Sequence, residues 1–435
     1  MKLIKLKHNR IAIFLLLLLL SPIFLFWGNP IVLFVFCIVL FLFVLIKAKI
    51  SFFTEVSFIL LFTYLQGVIH KVTGSIRGST LAFLGRTMPY YFKELSICTV
   101  SFLLTMLYFS WFTDLIEREK KIYSINVSLT KICSYVFLLG ATFLTLIVFP
   151  SMPNLIYKAG VDRARNSSVP YGLVMVVLLL LSVSFDTVVK KSRLFLAFYV
   201  FIIFWIFAHG ERVEVLGFLS YVGIRYLNRL DMSSLRQSAN RHKKMIVFLG
   251  AGIVILIAAA VGIVRVTGEK NLNIQMIINS LIIQGTAGDT IYDFNCATTM
   301  WKKGELLYGY SYIDYVLQFI PGATSKYAAG EILVREFNTL GGALFYSEAM
   351  MNFGIIGVVI FNFIFFAFLL KFVKGKTEIR AWMFIPIVIE VFRICWYGID
   401  GWILASFIEV PILYVCSRVI GKNRVSLHNN PKYLI

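Results

Sequence analysis

IAIFLLLLLLSPIFLF, residues 11–26, is the stretch whose reading decides the fold: sixteen residues without a charge, lying between Arg10 and Trp27. A helix that crosses a bilayer needs roughly 17–25 mainly apolar residues, so this run and its Trp flank suit a span. Similar runs recur at 31–46, 52–69, 95–112, 132–149, 171–185, 194–208, 213–226, 245–263, 343–370, 381–396 and 403–419. Helices are the expected form, because lipid cannot satisfy exposed backbone groups and the period-2 alternation of a membrane barrel is absent. With 59% hydrophobic residues and 41 Phe in 435, a soluble core is an implausible home for so much apolar surface. The expectation is an all-α polytopic integral membrane protein of about twelve transmembrane helices, one transmembrane domain over 1–435. The run at 213–226 is short and carries Glu214 and Arg225. If it does not span, everything after it changes side.

The charges set the orientation. With the N-terminus in the cytoplasm, the inner segments (2–10, 47–49, 118–131, 190–193, 225–244, 371–380 and 418–432) hold 27 of the 42 Lys and Arg. Cytoplasmic loops carry such an excess, so both termini are expected inside. The net charge of +20 is mostly this bias, and no nucleic-acid partner need be invoked. The basic start MKLIKLKHNR precedes no small-residue cleavage site, which reads as a retained anchor. Cys37, Cys98, Cys133, Cys395 and Cys416 fall in or beside spans, Cys296 is alone in a loop, and there is no CxxC.

Three outer loops follow from this topology. The first, 70–91, contains Arg77 and Arg86; the second, 150–170, contains Lys158, Arg163 and Arg165. The third, 264–342, is far longer than an ordinary connection, which makes it the place to look for chemistry. Its pieces 273–283 and 305–319 mix apolar and polar residues at helical spacing, and Tyr308, Tyr310, Tyr312 and Tyr315 crowd the second. Tyr favours the membrane–water boundary, so amphipathic helices lying on the outer surface are expected, either as a lid over a substrate or simply packed on their neighbours.

Ionisable groups near hydrocarbon are expensive and usually line a cavity or pair with one another. Arg212 opens the span after the turn His209-Gly210-Glu211, Arg265 ends the ninth span, Arg335 lies late in the long loop and Arg393 near the outer end of the eleventh span. Guanidinium matches phosphate oxygens bidentately, so such a set suits a diphosphate; alternatively Arg212 pairs with Glu211 or Glu214 and the others reach headgroups. Glu348, about one turn inside the tenth span, could accept a proton from a sugar hydroxyl as a general base does, or pair with an outer Arg. Asp289 and Asp293 could hold a cation, but solvated or capping roles are the simpler expectation. Walker A, GxGxxG, HExxH and nucleophile-elbow motifs are absent and the five His are dispersed. No metal and no cofactor is expected.

Four pieces together resemble the O-antigen polysaccharide polymerase (Wzy) family, which includes capsular repeat-unit polymerases. They are Gly210-Glu211-Arg212, then Gln284-Gly285-Thr286, then Gly309-Tyr310-Ser311-Tyr312 through Ile320-Pro321-Gly322, and finally Gly341-Gly342, Glu348, Asn352-Phe353-Gly354 and Gly357. The resemblance covers mainly 209–360; the first half matches only in hydropathy. It implies a glycosyltransferase in the bacterial inner membrane that moves a glycan from undecaprenyl diphosphate onto a new lipid-linked repeat at the outer face. Donor and acceptor would both be undecaprenyl-diphosphate-linked glycans held in membrane lipid, with a chain-length regulator as partner. Within that expectation Arg212, Arg265 and Arg335 meet the donor diphosphate and Glu348 activates the acceptor. Arg77, Arg163, Arg165 and Arg393 are reserves. The absent nucleotide motifs fit, because the energy sits in the glycosyl diphosphate bond. An O-antigen ligase using the same donor is the nearest alternative. A flippase for lipid-linked oligosaccharide is the alternative of another class, although the two halves show no repeat.

Overall fold

The computed structural model describes residues 2–74, 88–124, 129–152, 172–189, 193–209, 211–232, 273–283, 285–317, 320, 327–374, 377–399 and 401–428, with isolated positions between 245 and 263. These residues are almost entirely helical, and no strand occurs among them. Among the described residues, seven helices are long and apolar enough to cross a membrane: Asn9–Trp27, Pro30–Ala48, Phe52–Thr73, Phe92–Phe112, Lys131–Val148, Ser347–Val373 and Gly401–Ile420. They match seven of the expected runs and indicate a membrane-embedded, all-α protein. Of the remaining five, 171–185 and 194–208 appear as shorter apolar helices. The run 213–226 lies in a helix with Glu214 and Arg225 both buried, and 245–263 is largely outside the described residues. The run 381–396 is not one helix: it breaks at Glu390, between Glu378–Ile389 and Val391–Trp396.

The chain forms two compact units, each built from three stretches: 1–120, 282–375 and 391–400 in the first; 121–281, 376–390 and 401–435 in the second. In the first unit, α1 (Lys2–Trp27), α2 (Pro30–Ala48), α3 (Phe52–Thr73) and α4 (Phe92–Phe112) pack together; α5 (Leu115–Ser124) follows. Local chemistry sets the starts. Asn29 accepts from the amides of Ile31 and Val32 at 3.0 and 3.2 Å, with Pro30 in the first turn; this satisfies donors that a helix N-terminus leaves over. Ser51 caps α3 at Thr54, and Glu119 of α5 accepts from the Phe52 amide at 2.7 Å. Between spans, hydroxyls serve as polar contacts: Tyr64 to Ser96 at 2.9 Å, and Asn362 donating to Ser101 at 3.3 Å.

The long 264–342 segment is more structured than a surface loop. It carries α10 (Ile274–Ile282), α11 (Gly285–Lys303), α12 (Tyr310–Leu317) and α13 (Ala329–Phe337). The helices α10 and α12 are the two amphipathic pieces expected from spacing. Helix α11 was not expected: it is buried along most of its length, against α3 and against α14 (Ser347–Val373). Cys296, read as a lone loop cysteine, is therefore inside the first unit. Phe102, Phe345, Phe365 and Phe366 meet as edge-on or tilted pairs at 5.1–5.6 Å where α4 and α14 touch; each such pair adds about 0.5–1.5 kcal/mol beyond its area.

The second unit contains α6 (Lys131–Val148), α7 (Gly172–Val189), α8 (Arg193–Ala208), α9 (Arg212–Met232) and α15 (Glu378–Ile389). Helices α6 and α7 form its most extensive pair. Helix α9 meets the end of α15 so closely that a Cβ on Gly217 would sit 1.7 Å from the Ile389 carbonyl oxygen. Only glycine fits there. Helix α16 (Val391–Trp396) belongs to the first unit; α17 (Gly401–Leu404), a π turn at Ala405–Glu409 and α18 (Val410–His428) belong to the second.

Candidate functional site

In the first unit, polar groups converge on Glu348, the second residue of α14. Its Oε1 accepts from the Ser311 hydroxyl at 2.6 Å and its Oε2 from the Tyr315 hydroxyl at 2.5 Å. In both contacts a hydroxyl donates to a carboxylate oxygen. Ser311 and Tyr315 are four apart on α12, so both face the same way; Glu348 and Asn352 repeat that spacing on α14. Asn352 ties the two helices together. Its amide nitrogen donates to Ser311 Oγ at 2.7 Å and to the Glu348 carbonyl at 2.8 Å, while its oxygen accepts from the Gly309 amide at 2.7 Å. All four side chains are buried, Glu348 with 3% of its surface exposed. A buried carboxylate without such donors would pay a large desolvation cost.

The backbone is shaped for this junction. Tyr308 and Gly309 both have positive φ, 49° and 92°, which turns the chain sharply into α12. Gly354, at φ 66° and ψ −159°, interrupts α14 six residues beyond the carboxylate. An interrupted helix leaves carbonyls of the preceding turn without their usual donors, and the Leu307 amide supplies one to Met351 at 3.0 Å. The Trp301 indole nitrogen lies 2.3 Å from where a Cβ on Gly354 would stand. The Gly at 354 thus admits a side chain of α11. Asp314 accepts from the Tyr327 amide at 2.8 Å, and Tyr312 stacks on Phe361 at 6.2 Å.

The expected site residues are placed unevenly. Glu348, Arg335 and Arg393 belong to the first unit, and Arg212, the first residue of α9, to the second. Arg335 is exposed and its Nε lies 2.9 Å from Glu336 Oε1. Arg393 is half-buried, with its guanidinium 5.3 Å from the centre of the Tyr397 ring. Arg77, Arg163, Arg165 and Arg265 lie outside the described residues. Both Glu348 carboxylate oxygens take hydroxyl contacts, which neither alternative for this residue had foreseen. Ser311, Tyr315 and Asn352 were not singled out as site residues from the pattern alone; the signal that would have found them is the matched i, i+4 spacing.

Asp293 departs furthest from expectation. It is not solvated but buried on α11, 1% exposed. Its Oδ1 meets no donor among the described residues, and its Oδ2 lies 2.6 Å from where a Cβ on Gly342 would be. Helix α11 is not among the seven membrane-length helices. Burial first, then the neighbouring Asp289, pushes the Asp293 carboxyl well above the usual carboxylate range, and a hydrogen bond from Thr339 opposes this only in part. Segment 342–345 meets the end of α16 here: Ala343 and Phe345 donate to the Trp396 and Cys395 carbonyls at 3.1 and 3.0 Å.

No protein-family model, curated protein or solved structure matches the chain.

Proposed function

We propose that this chain is a membrane glycosyltransferase that polymerises undecaprenyl-diphosphate-linked repeat units into O-antigen or capsular polysaccharide, as the family it resembles does. The observation that carries this reading is Glu348: a buried carboxylate at the start of a membrane-length helix, with a hydroxyl hydrogen-bonded to each of its two oxygens. In the proposed step an acceptor sugar hydroxyl takes that place and gives its proton to Glu348. Its oxygen bonds to the anomeric carbon of the donor as the bond from that carbon to the diphosphate breaks. Undecaprenyl diphosphate leaves with the electron pair. Arg212, Arg265 and Arg335 would stabilise the charge on the leaving oxygen, with Arg77, Arg163, Arg165 and Arg393 in reserve; such electrostatic help is normally a large catalytic term. The donor's own diphosphate bond drives the transfer, so neither nucleotide nor metal is assigned. A chain-length regulator would act on this enzyme in the bacterial inner membrane, with the active site facing outward.

The test is the electrophoretic ladder of surface glycan in a strain lacking the chain and complemented with variants. Loss of the chain should leave single-repeat caps, and Glu348→Ala or Arg212→Ala at normal membrane level should do the same. Long polymer with either variant removes that residue's role. Complete loss of attached glycan would favour a ligase, and repeats trapped on the inner leaflet a flippase.

A further inference from the structure

Helix α12 has two faces of opposite character. Ser311, Asp314 and Tyr315 are turned inward, at 0, 2 and 6% exposure; Tyr310, Ile313 and Val316 are turned outward, at 56, 56 and 62%. Tyr308, Leu317 and Ile320 extend the outer face, all of them exposed. A surface helix in water would carry charge on that face; here every outward residue is aliphatic or Tyr. The face also continues into a second exposed apolar surface. Phe353 of α14 reaches to within 3.4 Å of where a Cβ on Gly309 would be. Phe353 in turn begins the exposed apolar stripe of that membrane-length helix, followed by Ile356, Val359, Ile360, Phe363 and Ile364. The stripe on α14 meets lipid if α14 spans, and α12 prolongs it without an intervening charge. Tyr at 308 and 310 suits the level where acyl chains give way to headgroups.

We propose that α12 lies in the bilayer interface with its outer face among the acyl chains and so forms a lipid-facing lid over Glu348. Its inner face is held by hydroxyl contacts that a ligand can replace, because Ser311 and Tyr315 occupy the carboxylate oxygens a sugar diol would use. The Glu348 site then opens toward lipid, and its ligand is a hydroxyl-bearing headgroup on a membrane-held amphiphile. The seating of α12 stands on its own exposure pattern; only the ligand class rests on the proposed glycosyl transfer.

Spin labels test this on the full chain reconstituted in phosphatidylglycerol–phosphatidylethanolamine vesicles. Cys416, the exposed one of the six cysteines, is first replaced by Ser, and labels are placed with Ile313→Cys, Val316→Cys or, as a reference in an exposed connection, Glu305→Cys. Labels at 313 and 316 should collide with oxygen in preference to a water-soluble nickel chelate, by a ratio about threefold or more above that at 305. Equal or greater access for nickel would overturn the seating in lipid. Adding Ser311→Ala with Tyr315→Phe should leave the 316 label in lipid while its mobility rises; each single change should give an intermediate rise. Unchanged mobility in all three would show that the carboxylate does not hold the lid. Neither result depends on polymer formation, so failure of the glycosyltransferase reading is recognised separately, by a normal glycan ladder with Glu348→Ala.

Discussion

Asp293 and Glu348 are two buried carboxylates in one unit with opposite surroundings. Glu348 has a hydroxyl on each oxygen; Asp293 has Thr339 and an orphaned Oδ1. For Asp293 the folded carboxyl holds its proton well above the ordinary value of 3.8. The unfolded chain therefore releases that proton first, and stability falls as pH rises from there to the folded value. Below the ordinary value the penalty vanishes. Each unit of pH within the window costs up to about 1.4 kcal/mol. Asp293→Asn should accordingly match the natural protein near pH 4 and exceed its thermal midpoint increasingly toward pH 8, measured in detergent by loss of the monodisperse peak. A midpoint difference independent of pH would contradict the account. Glu348 was legible in the amino-acid sequence because a lone acid in a long apolar run has few inert explanations. Asp293 was not, since an acid in a polar, unpatterned segment reads as solvated until its neighbours are placed.

The elements divide along the same line. The apolar runs inside Pro30–Ala48 and Phe52–Thr73 were readable from hydropathy, whereas their caps, Asn29 and Ser51, emerged only with the structure. Helix α11 was hidden because it is buried nearly all round: GTAGDTIYDFNCATTMWKK has neither an apolar stripe nor the hydropathy of a span. The break at Glu390 inside 381–396 was also hidden, since hydropathy alone does not register a helix that ends where another backbone presses on it. The interruption of α14 at Gly354 is a designed-in shape that depends on having no side chain. Gly354→Ala would meet the Trp301 indole and would hold an alanine at φ 66°. It should cost about 2 kcal/mol or more, read as a lowered thermal midpoint. Trp301→Ala combined with Gly354→Ala should recover the steric part only. No loss of midpoint on Gly354→Ala would show that the interruption is not required.

At the scale of the molecule, composition and charge order announced the class, and seven membrane-length helices among the described residues agree with it. What one sequence cannot carry is convergence. The arginines drawn together by their chemistry fall in both units or outside the described residues, whereas the groups gathered at Glu348 come from a segment first read as a loop. The proposed transfer depends on Glu348 taking the acceptor's proton. Its most direct test uses purified protein in lipid vesicles with undecaprenyl-diphosphate-linked repeat units extracted from its own host, comparing the natural chain with Glu348→Gln at equal folded amount. Glutamine keeps the shape and loses the basicity, so polymer formation should fall by roughly 100-fold or more. Chain growth at the natural rate in Glu348→Gln would contradict the claim.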